Sequence, residues 1–254
     1  MGDVTIALVF PALLGTYGDG GNAVVLAERL RWRGISSAVV SIDIDETLPE
    51  SADIYVLGGG EDSAQTLAVS RLVSSGVLAR AAERGAPIFA VCAGFQILGK
   101  TFLDGRGDVH AGLGLIDCRT DRLPGARAVG ELLVDSAVAG VVTGYENHGG
   151  RTVLGAAATP FGAVRSGVGN GAASDAASVD GATQGSVVAT YLHGPALARN
   201  PALADALLAR IVDGPLAPVD DAEVEELHRE RVTAAGRARR RAPWRRQWKP
   251  PARS

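Results

Sequence analysis

Apolar residues in the first half of the chain fall in short unbroken runs. Val4-Thr5-Ile6-Ala7-Leu8-Val9-Phe10, Ser37 to Ile42, Asp53-Ile54-Tyr55-Val56-Leu57 and Pro87-Ile88-Phe89-Ala90-Val91 are each the length of a strand. Short apolar runs bounded by Gly and Pro read as strands buried in a sheet. Between them the pattern lengthens to helical segments. Asn22 caps a helix over Ala23 to Arg33 that Gly34 ends, and helices fill roughly residues 62–84. This alternation predicts an α/β protein with a doubly wound, mostly parallel sheet.

The second half is less regular. Leu113 to Cys118, Glu131 to Asp135, Val138 to Tyr145 and Val187 to Leu192 read as short strands, several of them antiparallel. Residues 162–186, rich in Gly, Ala, Ser and Asp, read as loop. Asn200-Pro201 opens a helix to about Val212, with Pro in its favoured first turn. Gly214-Pro215-Leu216-Ala217-Pro218 breaks it, and Asp220-Asp221 caps a last, charged helix. The boundaries are a domain over 1–215 and a charged helix with a basic tail over 216–254.

Charge sharpens that division. From Arg229 onward ten Lys and Arg face Glu230 alone, so the net charge of −3 divides into +9 there and −12 in the body. A tail of this composition is solvated, or pairs with an acidic partner or anionic lipid. No run of about 18 apolar residues occurs, so no transmembrane segment is expected. The start of the chain, with Asp3 and no basic stretch, does not read as a signal peptide. Cys92 and Cys118 sit in unlike contexts outside any metal-spaced cluster, which fits a reducing cytoplasm and no metal site.

The run at 87–91 ends in Cys92-Ala93-Gly94 and leads into an apolar-periodic helix. A nucleophile on such a strand-to-helix turn stands exposed above the sheet, beside free backbone N–H groups. The same letters offer a second reading. Gly94-Phe95-Gln96-Ile97-Leu98-Gly99-Lys100-Thr101 matches the phosphate-loop pattern in full. A phosphate cradle needs an open loop. Phe95 to Leu98 are bulky, mostly apolar and helix-spaced, and Lys100 would lie two turns from the helix start. A cysteine nucleophile also needs a base. His193, in Tyr191-Leu192-His193-Gly194-Pro195, ends another apolar strand; His148, in Tyr145-Glu146-Asn147-His148-Gly149-Gly150-Arg151-Thr152, is the alternative. His110, in a loop, and His228, in a charged helix, read as bystanders. Strands of a wound sheet that end on one edge bring such residues together.

Gly58-Gly59-Gly60, Val91-Cys92-Ala93-Gly94-Phe95-Gln96 and Tyr191-Leu192-His193-Gly194-Pro195 resemble the class I glutamine amidotransferases of the cobyric acid synthase type. Tyr17-Gly18-Asp19-Gly20-Gly21-Asn22 and the block around His148 extend the resemblance, which spans about residues 4–213 and leaves out the basic tail. Those longer blocks are most similar to the family members that serve as glutaminase subunits in lipid II amidation. The resemblance implies a flavodoxin-like fold, glutamine hydrolysis through a Cys92 thioester with His193 as proton carrier, and an oxyanion hole from the backbone of Gly60 and Ala93. It also implies that Arg127 binds the glutamine carboxylate.

Many members of that family follow the histidine with Pro-Glu, whose carboxylate orients the imidazole. Here Gly194-Pro195 comes next, so a Cys–His dyad or an acid from a partner chain is expected, the second being the reading adopted. The Gly-rich block at Thr16 to Asn22 reads as a tight turn or a partner-docking loop. Released ammonia needs an activated carboxylate, and this chain shows no means of activation. The resemblance therefore implies no cofactor in this chain and a MurT-like, Mur-ligase-type partner carrying ATP and Mg, which amidates the α-carboxylate of the D-glutamate in lipid II. Corrinoid amidation, a different cysteine hydrolase, and a nucleotide-binding protein using Gly94–Thr101 are the alternatives. Cys118 reads as core.

Overall fold

The computed structural model describes residues 3–171 and 178–241. The rest of the basic tail, 242–254, lies outside the described residues. In chain order the first half forms β1 (Val4–Val9), α1 (Gly21–Arg31), β2 (Ser37–Ile42), β3 (Ile54–Leu57), α2 (Asp62–Ser75), α3 (Val77–Glu83), β4 (Ile88–Val91) and α4 (Ala93–Leu98). The middle is strand-rich: β5 (Thr101–Leu103), β6 (Val109–Ala111), β7 (Cys118–Arg122), β8 (Ala128–Ser136), β9 (Gly140–His148) and β10 (Gly150–Leu154). The last part holds β11 (Gly162–Ser166), β12 (Val179–Asp180), β13 (Ala182–Gln184), β14 (Val187–Thr190), α5 (Ala196–Arg199), α6 (Pro201–Leu208) and α7 (Ala222–Arg241).

The central six-stranded sheet runs β13-β14-β4-β3-β1-β2. Its five strands from β2 to β14 are parallel, and β13 adds an antiparallel edge. The order β2-β1-β3-β4-β14 is the flavodoxin-like doubly wound arrangement. Every residue of β3, β4 and β14 is buried, as strands covered on both faces require. Helices α1, α5 and α6 pack as one group and α2, α3 and α4 as another. Two four-stranded sheets, β10-β7-β5-β6 and β12-β11-β8-β9, hold the mostly antiparallel second half.

Several expectations shift locally. Helix α1 starts at Gly21, because Asn22 is no cap; its buried Oδ1 accepts the Leu197 N–H and ties α1 to α5. Residues 113–117 are not strand. Leu113, Gly114 and Ile116 donate their N–H groups to the carbonyls of Ile97, Gly99 and Leu98 and so close the end of α4. The region expected to be loop, 162–186, carries β11, β12 and β13, since pairing with β8 and β14 overrides a weakly strand-forming composition. His110 stands on β6 with its ring nitrogen 2.9 Å from Asp104.

Asp220 caps α7 by accepting the Ala222 N–H, and Asp221 turns inward. There, Arg29, only 3% exposed, forms paired hydrogen bonds to both Asp205 and Asp221 at 2.7–2.8 Å. Helix α7 then packs along β8, β9 and β11. No described helix is long and apolar enough to cross a membrane.

Candidate active site

Four neighbouring strands deliver the site. Val9 of β1 pairs with Leu57 of β3, Leu57 with Ala90 of β4, and Val91 with Thr190 of β14, so the carboxyl ends of these strands lie level. Beyond those ends lie, strand by strand, the loop to Asp19, the Gly58–Gly60 turn, Cys92 and His193. Ligands bind at such an edge in wound sheets.

Cys92 sits on the elbow itself. Its φ of +52° is a left-handed backbone value that costs a non-glycine residue of order 1–3 kcal/mol. The turn is therefore made by the cysteine itself. Gly94 lies inside α4 and allows close approach: its N–H donates to Gly58 O, and a Cβ there would stand 2.9 Å from Leu57 Cβ. Cys92 N–H donates to Thr190 O, which fixes the elbow to β14.

His193 is fully buried, and its backbone forms a two-way bridge with Tyr145 of β9. Its Nδ1 lies 2.7 Å from Oδ2 of Asp19, also fully buried. The expectation that a partner chain supplies the acid is thereby corrected: Asp19 of this chain already occupies that nitrogen. The same Asp19 oxygen accepts the Gly59 N–H at 2.9 Å, which pins the carboxylate to the glycine turn. Burial opposes a charged imidazole. The Asp19 carboxylate hydrogen-bonded to Nδ1, together with the neighbouring Cys92 sulfur, outweighs it and pushes the His193 pKa up to about 10.

Gly59 is wedged among all three side chains. A Cβ there would lie 2.6 Å from His193 Cε1, 3.1 Å from Asp19 Oδ2 and 3.4 Å from Cys92 Cβ. Gly59 N–H is committed to Asp19, whereas Ala93, the first residue of α4, directly follows Cys92 in the chain. Gly60 lines the pocket beside Cys92.

That pocket, of about 300 Å³, opens over Cys92 and is lined by Tyr17, Gln96, Arg127, Asn147 and His148 among others. Arg127, on the loop before β8, is exposed yet anchored to Asn147 by two 3.0 Å hydrogen bonds. His148 is not placed as a second base. It is buried with Nδ1 2.9 Å from Gly150 O, and its ring stacks on Tyr191 at 3.8 Å. His228, on α7, has its ring Nδ1 3.0 Å from the Arg199 carbonyl.

The phosphate-loop reading fails on shape. Residues 93–98 are buried helix, and Phe95, Ile97 and Leu98 are core. Lys100 lies beyond the helix end, where it pairs with Asp117 at 2.5 Å. Cys118 is core, and burial pushes its thiol up to about 12. Among the described residues no three His, Cys, Asp or Glu side chains cluster to hold a metal.

Comparison with known proteins agrees with this geometry. Residues 5–201 match the CobB/CobQ-like glutamine amidotransferase domain. The chain is 33% identical over 227 residues to the glutamine-hydrolysing subunit GatD of lipid II isoglutaminyl synthase from Staphylococcus aureus, covering 89% of this chain and 91% of that one. It is 36% identical over 172 residues to cobyric acid synthase from Sphingopyxis alaskensis, covering 65% of this chain but 33% of that protein. A crystal structure of a glutamine amidotransferase superposes with a TM-score of 0.54 at 19% identity, over 81% of this chain and 98% of the other, a likeness of fold.

Proposed function

The chain belongs to the CobB/CobQ-like glutamine amidotransferase family, and on that premise we propose that it is the glutaminase subunit of a lipid II isoglutaminyl synthase. The observation that carries the chemistry is the Cys92–His193–Asp19 constellation around Gly59. The Cys92 sulfur attacks the side-chain amide carbon of L-glutamine. His193, with Asp19 stabilising its charge, holds the thiol proton and passes it to the leaving nitrogen. Ammonia departs, and a glutamyl thioester remains. Water, deprotonated by His193, then opens the thioester to glutamate and restores the thiol. Backbone N–H groups of Gly60 and Ala93 hold the oxyanion, each worth about 3–4 kcal/mol. Arg127 binds the glutamine α-carboxylate.

Ammonia must then meet an activated acid, and the partner supplies it. A MurT-like, Mur-ligase-type synthetase with ATP and Mg activates the α-carboxylate of D-glutamate in lipid II, and amidation yields D-isoglutamine for peptidoglycan. The match to 91% of the lipid II enzyme subunit, against one third of cobyric acid synthase, favours this acceptor over a corrinoid. Its free thiols suit a reducing cytoplasm.

The test is ammonia release from glutamine by the full chain, with and without a co-expressed Mur-ligase-type partner, and lipid II amidation by the pair. Cys92→Ser abolishes both. Ammonia release that survives Cys92→Ser, or a wild-type chain that never releases it, removes the reading.

A further inference from the structure

An arginine on a loop can aim its guanidinium in many directions, so something must aim Arg127. Its Nε donates to Asn147 Oδ1 at 3.0 Å, and Nη2 donates to the Asn147 carbonyl at 3.0 Å. Asn147, near the end of β9, thus covers one edge of the guanidinium with both of its acceptors. A guanidinium carries five N–H donors in a rigid fork. With the Nε edge occupied, the Nη1/Nη2 edge is the one left to meet a carboxylate bidentately.

Asn147 also has an amide to give. Its Nδ2 donates to the Tyr17 hydroxyl at 2.5 Å. The Tyr17 ring in turn stands edge-on to the His193 imidazole, centroids 4.9 Å apart at 66°. Tyr17 is 45% exposed at the pocket and holds a φ of +65°, a strained backbone value for a residue of its size. Strain of this kind persists only where the surroundings enforce it. Here the enforcement comes from both ends, since Asp19, two residues on, is fixed to His193 and Gly59.

We propose that Asn147 and Tyr17 are positioning residues that aim the Arg127 fork at the glutamine α-carboxylate. The inference rests on the glutaminase reading and adds to it the device that selects a free α-amino-acid carboxylate. The hydrogen bonds run Arg127–Asn147–Tyr17.

Two alkylating agents separate the roles on the full chain. The diazoketone analogue of glutamine reaches Cys92 through the α-carboxylate anchor; iodoacetamide, which has no such group, reaches it without. In Asn147→Ala, inactivation by the analogue slows about 10- to 100-fold and the glutamine KM rises by a like factor, while the iodoacetamide rate and kcat stay within about 3-fold. Tyr17→Phe keeps the ring on His193 and shows a smaller change of the same pattern. Unchanged analogue rates in both variants, or equal slowing with both agents, overturn the proposal. A wild-type chain that iodoacetamide alkylates at Cys92 but the analogue does not would overturn the glutaminase reading, and this proposal with it.

Discussion

Asp19 Oδ2 stands 2.7 Å from His193 Nδ1 across 174 residues of chain, with both side chains fully buried. On the proposed glutaminase reading, that contact completes a Cys92–His193–Asp19 triad within one chain, so ammonia release by the isolated subunit need not wait for a partner's acid. Asp19→Asn tests it. The asparagine oxygen, standing where Oδ2 stands, still accepts both the Gly59 N–H and the Nδ1 proton, so the tautomer is kept while the negative charge opposite the imidazole is lost. The imidazolium that forms when Nε2 takes the thiol proton is then no longer stabilised by a carboxylate. Glutaminase kcat is expected to fall on the order of 10²–10⁴-fold with the melting temperature little changed. Activity within a few-fold of wild type would show that the carboxylate charge does not stabilise the imidazolium.

The same contact gives the subunit a pH signature. Burial opposes the His193 charge, but Asp19 and Cys92 outweigh it and hold the folded pKa at about 10, against an unfolded value of about 6.5. A group raised in this way stabilises the fold fully below about pH 6.5, and that contribution is lost as pH rises through about 10. Denaturant unfolding of the full chain at about pH 6 and about pH 10 should show this loss in wild type and a shallower one in His193→Gln. Equal slopes would mean that His193 titrates alike in both states.

Gly59 is the third test. A methyl group there would meet His193 Cε1 at 2.6 Å, and the buried imidazole has no open side to move into. Displacing a catalytic group by about 1 Å costs roughly 10²-fold. Gly59→Ala should therefore lose at least that much ammonia release while Cys92 remains reachable by iodoacetamide. Retained activity would show that the three side chains are not held as tightly as the 2.6–3.4 Å approaches require.

How much of this the letters could show depended on how local the signal was. Cys92, His193 and the Gly58–Gly60 turn each close an unbroken apolar run, so their strands and their common edge were legible. Asp19 was not. It lies in a glycine-rich loop without periodicity, and its partner is fixed only by strand order. The clue available was that β1, like β4 and β14, ends in a loop on the carboxyl edge, and that this loop carries a single acid. Ile116 misled for a related reason. Its full burial gives 113–118 the look of a strand, while the backbone there is spent on the end of α4. The Tyr17–Asn147–Arg127 path was invisible because each of its links joins segments distant in the chain.

Asp180 tests the core beside the site. It is fully buried on β12, where Oδ2 accepts the Thr190 hydroxyl and Oδ1 the Tyr191 N–H. Burial dominates and, with Glu146 nearby, pushes its carboxyl up to about 6 despite those hydrogen bonds. An acid raised above its unfolded value of about 3.9 costs stability once ionised. The cost grows as pH rises from about 4 through about 6 and then stays constant, at about 3 kcal/mol for a shift of this size. Asn in its place removes the charge and keeps both contacts, because the Thr190 hydroxyl can turn to accept the new amide. Asp180→Asn should therefore gain about 1–2 kcal/mol in urea unfolding at about pH 7.5 and nothing at about pH 4. A gain of equal size at both pH values would trace the effect to packing, and a loss at about pH 7.5 would mean that the charge itself is what Thr190 and Tyr191 require.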